Sequence, residues 1–180
     1  MSDLNKQCLD TFPEWLRNLG DDAAKLAEVV GNTELPGAYR RYAAAGLNYL
    51  FKSLDLIPDG IEDLGYLDDA FVLRVAASLA LAEAPEAREQ VQGLRQLGEQ
   101  AALIEELLGA DYLRLKDYVE KLQQGATRGR SVAEILGDES VRRDFLNEVD
   151  GWVTSYEAPT FSKDDKNIVK LKSFLSAKLP

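Results

Sequence analysis

Leu54-Asp55-Leu56-Ile57-Pro58-Asp59-Gly60-Ile61-Glu62-Asp63-Leu64-Gly65-Tyr66-Leu67-Asp68-Asp69 sets six carboxylates in a turn-rich segment between two of the most apolar stretches of the chain. Upstream, Tyr39, Tyr42, Ala43, Leu47, Leu50 and Phe51 follow the three- and four-residue spacing of one helix face, opened by Pro36 and ending near Ser53. Downstream, Ala70 to Ala84 is a second helix whose apolar run is interrupted by Arg74, with Ala84-Pro85 as its break. Within the segment, Pro58-Asp59-Gly60 reads as a turn, Pro fixing φ and Gly supplying a permissive backbone. Asp68 and Asp69 stand at the start of the second helix, where carboxylates cap free N–H groups and favour the positive end of the dipole. The segment is therefore the linker of a helical hairpin.

The helical period continues on both sides. Short helices are expected over Pro13 to Leu19, stopped by Gly20, and over Asp22 to Val30, stopped by Gly31. Glu86 to Leu108 carries the stripe Ala87, Val91, Leu94, Leu97, Ala101, Ile104 and Leu108, with Gly93 and Gly98 arguing against a rigid long coiled coil, and a helix from Asp111 to Gln124 follows. The loop Gly125-Ala126-Thr127-Arg128-Gly129-Arg130 is the best boundary in the chain, and Ser131 with Glu134 forms a capping box for a short helix after it. Two more helices are expected, from Glu139 to Tyr156 and from Lys163 to Lys178, the second capped by Ser162 with Asp165 three residues on. Strand signals are nearly absent. The fold class is all-α, a compact bundle of about nine helices. Residues 1-124 hold the central hairpin, and residues 125-180 form a C-terminal helical cap docked on the same core.

Leu56-Ile57-Pro58-Asp59 followed by Leu64-Gly65-Tyr66-Leu67-Asp68-Asp69 resembles the signature of the YkvA-like family, a short helical-hairpin domain of unknown function. The resemblance spans about Leu47 to Leu81. It departs from the family pattern where Ser53 and Glu62 stand at usual prolines and Gly60 at a usual bulky apolar residue, which makes this linker more acidic. It implies two apolar helices joined by the linker, in a family with some membrane-associated members, and it implies no established reaction.

The linker has two chemical readings. In the first, Asp55, Pro58, Gly60, Gly65, Tyr66, Asp68 and Asp69 build turns and helix ends. In the second, Asp55, Asp59, Asp68 and Asp69 converge on a divalent cation, Mg²⁺ or Ca²⁺, which takes several carboxylates from closely spaced turns. Asp55, Asp59 and Gly60 match positions of a calcium loop, but Ile57 and Tyr66 at two other ligand positions exclude an EF-hand. Arg74 needs a carboxylate, because an unpaired buried guanidinium is costly, and the expected partner is Asp55, Asp59 or Asp69, clamping linker to helix.

Other constellations are weaker. Gly125 to Ser131 is one residue short of a phosphate-binding loop and has Arg130 where the lysine belongs, leaving an interhelical loop whose Arg128 and Arg130 can engage an acidic group. The chain has no histidine, which removes the Ser/His and Cys/His catalytic pairs, and Cys8 reads as an inert thiol. Tyr39, Tyr42, Tyr49, Phe51 and Tyr66 read as core, with a partner-binding groove as the alternative.

With 180 residues the chain can bury a core without staples, and its single cysteine excludes an intrachain disulfide and suits a reducing, cytoplasmic setting. Met1 to Asp10 carries charges and no apolar h-region, so it reads as a mature start. A formal charge of −10 disfavours nucleic acid and anionic lipid and favours a protein partner with a basic surface. Together these point to a non-catalytic interaction or regulatory module without a cofactor. A metal-dependent hydrolase using the linker aspartates is the alternative, followed by peripheral membrane association through the apolar hairpin. The oligomeric state is left open.

Overall fold

The computed structural model describes residues 2–52, 55–58, 60–61 and 64–180. The described residues form α1 (Asp3–Arg17), α2 (Leu19–Gly31), α3 (Gly37–Tyr49), α4 (Leu67–Glu83), a 3-10 turn (Pro85–Gln90), α5 (Gln92–Leu108), α6 (Asp111–Leu122), α7 (Val132–Gly137), α8 (Glu139–Ser155) and α9 (Asp165–Lys178). Two short strands, β1 (Ala126–Thr127) and β2 (Arg130–Ser131), interrupt an otherwise helical chain.

The fold is all-α, and α4 is its axis. Every residue from Leu67 to Ala77 is buried, as are Leu79 and Ala80, and α1, α2, α3, α5 and α6 pack around the helix. A helix apolar all round has no face to offer water, so it takes the centre. Two close approaches set its neighbours. A Cβ on Gly46 of α3 would lie 3.1 Å from Leu73 Cδ2, and one on Gly98 of α5 would lie 2.5 Å from Leu81 Cδ1 and 3.2 Å from the Ser78 backbone nitrogen. Gly98 thus admits the α4 backbone rather than merely loosening α5. One apolar cluster joins side chains from α1 through α9, including Phe145 and Val149 of α8 and Leu171 and Leu175 of α9.

Several boundaries differ from the sequence expectation. The first helix starts at Asp3, ten residues ahead of Pro13, with the Ser2 hydroxyl accepting from Asn5 N–H at 3.1 Å. Pro13 lies inside it: Leu9, Phe12, Trp15 and Leu16 bury a continuous face, and that packing outweighs the missing main-chain bond. Gly20 does not stop a helix; it lies within α2, buried, 3.7 Å from the Tyr156 ring when given a Cβ. The stripe expected from Glu86 to Leu108 splits into the 3-10 turn and α5. Ser162 does not cap α9. Asp164 accepts from Lys166 N–H instead, while Ser162 accepts from the Asn167 amide.

The capping box of Ser131 and Glu134 is present in full. The loop before it is a tight antiparallel hairpin, Ala126 opposite Ser131, whose turn residues Arg128 and Gly129 both have positive φ, as a two-residue hairpin turn requires. Its arginines lie against the body of the fold. Arg128 sits over the Phe51 ring and Arg130 over Phe145, and both face Glu148, at 3.8 and 2.6 Å.

Candidate functional site

Two polar constellations surround α4, one under the linker and one halfway along the helix. Under the linker, Asp68 is fully buried. Its Oδ2 accepts from the Tyr49 hydroxyl at 2.5 Å and from Ile57 N–H at 3.3 Å, and the Tyr49 oxygen accepts from Leu56 N–H at 2.8 Å. A side chain from the end of α3 and one from the start of α4 thus hold the backbone of the linker between them. Burial, then the charges of Asp68 and Asp69, push the Tyr49 phenol far above its ordinary range, which keeps it a donor. Pro58 and Ile61 close the expected turn with a 3.0 Å bond, and Gly65 N–H donates to Ile61 at 2.9 Å.

Asp68 lies inside the first turn of α4 rather than at its N-cap. Tyr66 occupies the position before α4, with φ of 70° and no side-chain capping bond, while Asp68 and Asp69 lie in the first turn. Gly60 is exposed, with no left-handed φ, so its expected conformational role is absent. The Tyr66 ring packs edge-on against Tyr156, which stacks on Trp152 at 4.9 Å and donates its hydroxyl to Leu16 C=O. This anchors the linker exit on α8 and the end of α1.

The four proposed cation ligands are unevenly placed. Asp68 and Asp69 are buried side by side in α4, Asp55 is half-buried in the linker, and Asp59 lies outside the described residues. Among the described residues, no three His, Cys, Asp or Glu side chains are grouped as metal ligands.

Arg74 forms the second constellation, and its partner is a correction. It pairs with Asp22 of α2 at 3.0 Å and donates to Gln100 of α5 at 2.8 Å and to Ala70 C=O at 3.0 Å, with its guanidinium 4.1 Å from the centre of the Trp15 ring. The side chains of Arg74 and Asp22 are 2% and 7% exposed. Arg74 projects from α4 one turn past Ala70, away from the linker, so the clamp joins α4 to α1, α2 and α5. Burial raises the Asp22 pKa and lowers that of Arg74 to about 10, and each partner's charge opposes the other's shift. Asp22 carried a readable signal: it interrupts the stripe Leu19, Ala23, Leu26 and Val30 on the buried face of α2. Nothing local in the sequence marked Trp15 or Gln100.

The pair floors a groove of about 670 Å³ between α1, α2 and α5. Glu14, Asp21, Asp22, Glu99 and Glu106 contribute negative charge to its lining, against Lys25 and Arg74. Cys8 lies on the buried face of α1, its thiol pushed up to about 11 by burial and by Glu106, which disfavours the reactive thiolate at neutral pH. Tyr39, Tyr42, Tyr49 and Phe51 are core, as expected.

No curated protein and no solved structure matches this chain. Residues 40–74, from α3 through the linker to Arg74, match the family described as Protein of unknown function (DUF1232), with which the YkvA-like resemblance is consistent.

Proposed function

We propose that the protein is a non-catalytic interaction module in which the signature segment organises the bundle and an acidic surface meets a basic protein partner. The observation that carries this reading is the bonding of Asp68: the signature carboxylate is enclosed and accepts from Tyr49 and Ile57, so its visible work is to hold the linker. The formal charge of −10 supplies the attraction for a basic partner. A membrane role for the apolar run would require α4 to leave the helices packed on it. No helix among the described residues is long and apolar enough to cross a membrane.

A short lysine–alanine peptide should bind at low ionic strength and be released as salt rises, whereas a glutamate–alanine peptide should not bind. Absence of lysine-peptide binding at any salt concentration overturns the module. Calorimetric titration with Mg²⁺, Ca²⁺ and Mn²⁺ should give no stoichiometric heat. Heat that disappears in Asp68→Asn would instead establish the cation reading of Asp55, Asp59, Asp68 and Asp69.

A further inference from the structure

We propose that the groove between α1, α2 and α5 is the docking site, and that its occupant is a basic peptide segment placing a lysine or arginine side chain against Asp21 and Glu106. This rests on the module reading and assigns it a location. The groove's volume of about 670 Å³ falls among ligand-binding clefts, which commonly span roughly 300–1,000 Å³. Its floor is charged yet closed. Arg74 lines the groove while only 2% exposed, neutralised by Asp22 and held by Gln100 and Trp15. An apolar pair of similar shape often serves a core as well as a buried ion pair does.

The rim selects the sign of the ligand. Glu99 already faces Arg88 and Arg95, and Glu14 faces Arg17. Asp21 and Glu106 are exposed, line the groove and have no ion pair among the described residues, and they outnumber Lys25, the exposed lysine of the lining that is likewise in no ion pair there. Polar side chains such as Gln7, Gln96 and Asn18 also line it and offer donors and acceptors for peptide groups. The excess of carboxylates disfavours a phosphate-bearing ligand.

Trp152→Phe leaves Trp15 as the sole tryptophan, an emission probe in the floor of the groove. In that background the lysine–alanine peptide should change Trp15 emission saturably. Asp21→Asn with Glu106→Gln should weaken binding roughly tenfold at low salt. Asp117→Asn with Glu120→Gln, exposed on α6 outside the groove, should leave binding unchanged. Thermal melts check that both pairs fold. Equal weakening by the two pairs overturns the groove while the module stands. A lysine peptide that binds without moving Trp15 emission or responding to Asp21 and Glu106 does the same. A peptide that fails to bind wild type overturns both.

Discussion

Asp68 is held by donors that lie 19 and 11 residues away along the chain, so its role belongs to the hairpin rather than to its own helix. Asp68→Ala leaves the Tyr49 hydroxyl and Ile57 N–H buried without that acceptor, and should destabilise by about 2–4 kcal/mol in urea unfolding. Tyr49→Phe removes both the donor to Asp68 and the acceptor of Leu56 N–H, so the two changes should be coupled in a double-mutant cycle; strict additivity would dismiss the latch. Arg74 obeys a similar logic with higher stakes. Arg74→Leu leaves Asp22 buried without its guanidinium partner and should lose about 3–5 kcal/mol, while Asp22→Leu with Arg74→Leu should recover much of that loss. An unchanged urea midpoint for Arg74→Leu would show that the pair is not a stabilising clamp. From the sequence, Arg74 visibly needed a carboxylate, but three nearby aspartates outranked Asp22. The actual partner is 52 residues upstream, and only the packing of α2 on α4 brings the two together.

Among the elements, α4 and α5 illustrate how a residue's meaning changes when helices meet. Alanine is favoured over glycine in a helix by about 1 kcal/mol, so on propensity alone Gly98→Ala would stabilise α5. Its Cβ would instead meet Leu81 and the Ser78 and Ala77 backbone, so the expected outcome is a net loss of about 1–3 kcal/mol and a lowered melting temperature. Gly60→Ala is the matching contrast: among the described residues no heavy atom lies within 4 Å of the new Cβ and the backbone is not left-handed, so stability should hold or rise slightly. The apolar stripes made the helices readable, and the capping box at Ser131 was readable because it is local. The start of α1 was hidden because Pro13 resembles a first-turn proline, and nothing short of α1 packing on α4 and α5 shows that the helix runs through it.

For the whole molecule, the lack of histidine predicts stability nearly independent of pH between about 6 and 8, since no side chain of ordinary pKa titrates there. Alkaline conditions should be different. Cys8, raised to about 11, and Tyr39, Tyr42 and Tyr49, all raised by burial, hold protons in the folded state that the unfolded chain releases first. Their stabilisation is complete below about pH 9 and lost as pH rises through the folded values, while the lowered pKa of Arg74 acts with the opposite sign from about pH 10 upward, so urea midpoints should fall between about pH 9 and 10. A midpoint flat across that range would contradict the burial of these groups. What the sequence by itself determined is the all-α class, the hairpin with its acidic linker and most helix positions, because hydrophobic period, turn residues and caps act over a few residues. Tertiary structure alone decided that Asp68 faces Tyr49, and that Arg74 faces Asp22 at the floor of a groove. Those contacts depend on which helix faces are pressed together, and the pairing of faces is settled by packing a shared core around α4.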